Sequence, residues 1–201
     1  SAELHIDLCA GEELAVAATK TYTAQLMAVA MLSAALRNEK DEIRDLKQIP
    51  EWVQQVLKSQ DQMLEQVQRY TFMRQCVVLG RGFNYATAFE WSLKLKELTY
   101  TIAEPYSSAD FLHGPIAMVE QNFPILAVAP NGKIFENLYE VMRTLKNEHQ
   151  AELVVVSNHM KALELANTAI PIPTAVPEWL SPIVSIVPGQ LFAYHLTKAR
   201  G

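Results

Sequence analysis

Three short runs constrain the fold more than anything else in the chain: VVLG at 77–80, ILAVA at 125–129 and LVVV at 153–156. Each is apolar without a polar alternate. A strand with one wet face shows a period of two, whereas an unbroken apolar strand is covered on both faces, as in parallel sheets flanked by helices. Between and around these runs lie segments of helical length and pattern at about 84–101 and 134–148, with a shorter one near 161–167. EPYSS and TAIPIP read as further strands. The alternation predicts βαβ units, and hence a three-layer α/β/α sandwich with a mostly parallel five-stranded sheet of the flavodoxin-like kind, preceded by N-terminal helices.

Composition suits such a core. Of 201 residues half are hydrophobic and 19% are charged, while Gly and Pro number 7 and 10, so the chain fills a large domain without disulfide or metal staples. The net charge of -5 and the scattered basic residues give no cationic footprint for phosphate backbones or anionic lipids, which argues against nucleic acid and membrane as partners. Cys9 and Cys76 have no metal-ligand spacing and apolar neighbours, which predicts buried thiols in a reducing compartment, the cytoplasm. No metal or cofactor is called for, since His5, His149, His159 and His195 converge on no ligand pattern.

Upstream of the sheet, LHIDLC at 4–9 reads as a short strand, and LMAVAMLSAAL at 26–36, about half the length needed to cross a bilayer, as a buried helix. NEKDEIRDLKQ (38–48) is charged and reads as a linker ended by Pro50. Apolar residues at 52, 53, 56, 57, 63, 64 and 67 then recur at helical spacing. These features divide the chain into residues 1–50, a partial unit with its linker, and residues 51–201, the sheet domain. The apolar helix and the stripe together predict an exposed face and self-association. Pro188 predicts a break or kink in the last helix.

Few residues stand out chemically. Gly80-Arg81-Gly82 ends the first strand, where open sheets bind ligands, but it lacks the third glycine of a dinucleotide fingerprint and a Walker lysine, and a tight turn accounts for it equally well. Lys94 and Glu97 are neighbours on one helix face, as are Glu90 and Lys94. By spacing alone, surface salt bridges explain these charges better than catalysis. His113 precedes Gly114-Pro115 and so sits at a break in the chain. A structural role is its default, although imidazole titrates in the range proton transfer needs. Ser108 reads as the N-cap of the segment from Ala109, and Asp110 as a cap or as a partner for His113.

The run GRGFNYATAFEWSLKLKELTYTIAEPYSSADFLHGPIAMV, continued through FPILAVAP to PGQLFAYHLTKARG, resembles the sugar isomerase (SIS) domain family, and within it the second SIS domain of the enzymes that aminate fructose 6-phosphate. GEELAVAATKTYTAQL is similar to the junction that leaves the first SIS domain. The resemblance implies a phosphosugar isomerase segment that takes fructose 6-phosphate or glucosamine 6-phosphate, works in a homodimer, and needs no cofactor. Position by position it makes Glu97 the general base between C1 and C2, Lys94 the lysine beside it, and His113 the ring-opening histidine, reaching a neighbouring subunit's site. Val16 and Ala18 fall on a sugar-contacting stretch. The family's serine is Ala18 here, so only the Val16 backbone remains to make that contact.

The family's Ser/Thr-rich phosphate loop and lysine-bearing tail find no match in these residues, which implies a segment of a longer protein and a composite site. Ser107-Ser108-Ala109-Asp110 is closer to double-SIS sugar-phosphate deaminases and deglycases, and a sensing module without chemistry is the further alternative. The expectation for the site is specific: Glu97 should face a crevice at the carboxyl edge of the sheet, near the segment around residue 16.

Overall fold

The computed structural model describes residue 3 and residues 5–201. Five strands, β1 (Gln75–Gly80), β2 (Ile102–Ser107), β3 (Pro124–Val128), β4 (Glu152–Ser157) and β5 (Thr168–Pro171), form one sheet in the order β2-β1-β3-β4-β5. Every pairing is parallel. The helices are α1 (Lys20–Arg37), α2 (Lys40–Leu57), α3 (Gln60–Val67), α4 (Asn84–Thr99), α5 (Ser108–Phe111), α6 (Phe135–Asn147), α7 (Met160–Leu165) and α8 (Ser181–Arg200).

The unbroken apolar strands are sorted by the pleat. Cys76, Val78, Leu126, Val128, Val154 and Val156 point to the face covered by α4 and α8, whereas Val77, Leu79, Ile125, Ala127, Leu153 and Val155 point to the face covered by α5, α6 and α7. The two faces alternate along each strand as the two-residue period requires. The sandwich and the parallel five-stranded sheet are those the sequence predicts.

α8 is the axis of the α4 face. It runs through Pro188 without ending, and beside it Gly189 lies so close to Trp91 that a Cβ would sit 2.9 Å from the indole Cγ. Only glycine allows this approach of α8 to α4. The same helix carries the N-terminal layer: Ala30, Ala34, Leu46, Ile49, Trp52, Val56, Met63 and Val67 join the core cluster of α4 and α8.

Four upstream expectations are corrected. The stretch 38–48 is no loose linker, because residues 40–48 open α2, which continues through Pro50; burial of Leu46, Ile49, Trp52 and Val56 outweighs the hydrogen bond that proline removes. Helix α1 is not buried in this chain. Only Ala30 and Ala34 are fully buried; Tyr22, Leu26 and Met27 are partly buried against the core, while Val29, Met31, Leu32 and Leu36 are exposed, because one stripe of the helix faces its neighbours. Residues 5–9 form no strand, Leu4 lying outside the described residues, since no sheet edge passes beside them. Cys9 is therefore exposed; Cys76 is buried as expected, and burial pushes its thiol up to about 12.

Candidate active site

Lys94 is the most unusual side chain among the described residues: a lysine only 2% exposed on a helix that touches β1, β2, β3 and α8. An isolated ammonium at that depth is not tolerated, so it must be paired. Its Nζ lies 2.6 Å from Glu97 Oε2 and 3.4 Å from Glu90 Oε1. The three charges stand at i, i+4 and i+7 on one face of α4, and the burial they share comes from tertiary packing rather than from spacing.

The carboxylates differ. Glu90 is buried, and desolvation raises its pKa, with Lys94 opposing the shift and Glu97 adding to it. Glu97 is the open member, its side chain 28% exposed. The arrangement is a buried cation that fixes one accessible carboxylate oxygen while a second, shielded carboxylate balances the charge. Such a carboxylate can take a proton from a bound molecule and return it without changing its own position.

The start of α1 lies near this cluster. Gln190 Nε2 donates to Thr19 O at 3.4 Å, one residue along α8 from the glycine that touches Trp91. Tyr22 is partly buried, and desolvation together with the Glu90 charge pushes its phenol up to about 12. Val16 is 97% exposed in a bend where Ala18 N–H donates to Val16 O at 3.1 Å. Tyr22 carried no signal in the sequence, and Glu90 only that of an i,i+4 pair.

The expected position of the site is corrected. α4 leaves β1 at the carboxyl edge and runs back to the amino edge, where Gln75 of β1 pairs with Ile102 of β2, and Glu97 is in its last turn. Glu97 therefore lies at the amino edge, because a helix joining parallel strands must return the chain to the strand starts. His113 lies at the other end, in the exposed turn after α5. The six residues of β2 that separate the two ends span about 20 Å. The fold thus unites Lys94 with Glu97 and keeps His113 apart from them within one chain.

Around His113, Ser107 and not Ser108 caps α5, accepting from Ala109 N–H at 3.3 Å. Asp110 holds His113 through its backbone carbonyl, 3.1 Å from the histidine N–H. Gly80-Arg81-Gly82 is a tight turn: a Cβ at Gly80 would meet Asn84 O at 2.2 Å, and Gly82 has φ +57. Among the described residues no group of three His, Cys, Asp or Glu side chains could hold a metal ion, and no helix is long and apolar enough to cross a membrane.

A flavodoxin-like sandwich of this strand order, with an acid–lysine pair on the helix after its first strand, defines a narrow class of α/β domain. The chain belongs to the SIS domain family, which matches residues 73–199. It is 38% identical over 213 residues to a glutamine–fructose-6-phosphate aminotransferase (isomerizing) of Gloeobacter violaceus, covering 98% of this chain and 34% of that protein. The protein of the same name from Pyrococcus horikoshii is 36% identical over 197 residues, with 96% and 33% covered. The chain thus spans about a third of the length of the curated relatives it matches. Among solved structures, the C-terminal domain of glucosamine-fructose-6-phosphate aminotransferase from Francisella tularensis superimposes with a TM-score of 0.84 at 31% identity, over 95% of this chain and 56% of that one.

Proposed function

We propose that this chain is the isomerase segment of an enzyme that aminates fructose 6-phosphate and isomerises the adduct to glucosamine 6-phosphate. In this reading residues 51–201 are its second SIS domain and residues 1–50 the exit of a preceding one. The observation that carries the reading is the buried Lys94 holding the one accessible carboxylate, Glu97, at 2.6 Å in a chain related along almost its whole length to such aminotransferases.

The chemistry fits that pair. Once ammonia has formed an imine at C2, Glu97 removes a proton from C1; the C1–H electrons become the C1–C2 double bond of an enolamine, and the C2–N π pair moves onto nitrogen, which takes up a proton. Glu97 then delivers its proton to C2 while the C1 hydroxyl gives up its own, replacing the one nitrogen took, which leaves the aldehyde of the amino sugar. Lys94 fixes the carboxylate. The Val16 backbone and the Ala18 bend border the sugar. His113 opens the sugar ring in the site of a second copy, which makes the working unit a homodimer. Proton transfers alone complete this route, so it needs no cofactor. The buried, unreactive Cys76 and the unpaired Cys9 suit the cytoplasm.

The deciding experiment is Glu97→Gln in the full-length enzyme with fructose 6-phosphate and ammonia. Turnover falls by about 10²- to 10⁴-fold, as for loss of a general base, while sugar-phosphate affinity stays within about threefold, because the isosteric amide preserves packing. Undiminished turnover removes Glu97 from the chemistry. A parent that turns over no sugar phosphate at all makes the domain a sensor, and one that only releases ammonia from glucosamine 6-phosphate makes it a deaminase.

A further inference from the structure

In an open parallel sheet the loops leaving the strands at the switch point part, and ligands, phosphates in particular, settle in the crevice between them on loop amides. Here the switch lies between β1 and β3, and the crevice is shut. It measures about 10 Å³, the lower limit for a single water.

Glu178 closes it. Arriving from the turn that precedes α8, its Oε2 accepts a hydrogen bond of 3.0 Å from Lys133 N–H. Its carboxyl group lies over Gly132 so closely that a Cβ there would meet the carboxyl carbon at 2.3 Å and Oε1 at 2.5 Å. The surroundings are those of an anion site. Arg81 lines the crevice and Lys133 the adjoining cleft. Among the described residues neither side chain forms an ion pair. The 13-residue helix α6 begins just beyond this loop without a side-chain cap.

We propose that Glu178 is a built-in anion that takes the place of a phosphate at this switch point and so closes this crevice to sugar phosphates. A carboxylate tethered to the fold competes as an intramolecular ligand, and its charge repels a second anion from the same amides. The phosphate of any sugar handled by the enzyme is then held outside this crevice. The inference stands whether or not the chain serves the reaction proposed above, because it concerns anion binding alone.

The test titrates inorganic phosphate, with chloride at equal ionic strength as control, into the 201-residue chain and its Glu178→Ala and Glu178→Gln variants. The Gly132 and Lys133 backbone amides are followed by NMR, and the thermal midpoint alongside them. In the unaltered chain both amides stay still. In Glu178→Ala they shift with phosphate, the midpoint rises, and affinity exceeds that of the unaltered chain by at least about tenfold. Glu178→Gln keeps an oxygen for Lys133 N–H, so it holds the fold and gains a smaller response. The proposal is overturned by phosphate shifting these amides equally in the unaltered chain, or by a folded Glu178→Ala that ignores phosphate. Should Glu178→Ala fail to fold, the Gln variant decides: a gained response supports the proposal and its absence overturns it.

Discussion

The two edges of the sheet handle charge in opposite ways. At the amino edge, Glu90, Lys94 and Glu97 form a partly buried triad on the last turns of α4, packed against α8 and close to the start of α1. At the carboxyl edge, where α/β domains of this kind ordinarily bind ligands, the switch-point crevice is filled by a carboxylate of the chain itself, and His113 stands exposed. Buried charge is expensive and persists only where it is paired. In the reading proposed above the reaction belongs to the amino edge, and the carboxyl edge presents His113 to a second copy.

The largest expected effect breaks or confirms the separation of the edges. Glu97→Gln and His113→Gln subunits are each nearly inactive, but mixed and re-equilibrated they recover about a quarter of the original activity, since half of the dimers then carry one intact site. No recovery places His113 and Glu97 in the same subunit's site, against the distance along β2.

Next is the cost of unpairing the triad. Lys94→Met leaves Glu90 and Glu97 without their cation and destabilises the fold by about 3–5 kcal/mol, read from denaturant unfolding. Adding Glu90→Gln restores part of the loss. A Lys94→Met variant as stable as the original makes the pair superficial. The comparison is sharpened by Gly189→Ala, which forces a methyl against Trp91 and separates α8 from α4 at a cost of about 1–3 kcal/mol. Glu97 function should fall with it, while the Glu178 contact at the other edge is untouched.

The smallest effect is a pH dependence. His195, on α8, is buried with neither ring nitrogen hydrogen-bonded, and burial, with Lys198 adding, lowers its pKa from the ordinary 6.5. The unfolded chain thus binds the proton more readily. Stability from this group is complete above pH 6.5 and declines as pH falls below it. His195→Phe flattens that part of the stability profile, and an unchanged slope assigns it to other groups.

How much of this could be read from residues alone varies along the chain. VVLG, ILAVA and LVVV specify covered parallel strands because an apolar run without alternation has no other economical fold, and the helices between them follow from length and period. α2 was not legible across Pro50 and the charged stretch before it, because burial of Trp52 and Val56 against distant α8 decided the matter. The exposure of α1 was equally hidden, since a helix rich in Ala, Leu and Met looks buried until one sees which stripe meets its neighbours. In the site, Lys94 and Glu97 were visible as a spaced pair whose spacing also suits a surface salt bridge, and Tyr22 and Glu178 gave no sign.

By itself, then, the sequence determined the layered α/β architecture, the strand count and the family, all written in local patterns of period two and 3.6. Tertiary structure alone decided that Lys94 is inside, that Glu97 sits at the amino edge, that His113 is a strand's length away, and that Glu178 fills the switch-point crevice. The reason is physical. Periodicity is a property of neighbours in the chain, whereas burial and close approach depend on atoms that only folding brings together, as when Glu178 meets Lys133 N–H across 45 positions and Gln190 reaches Thr19 across 171.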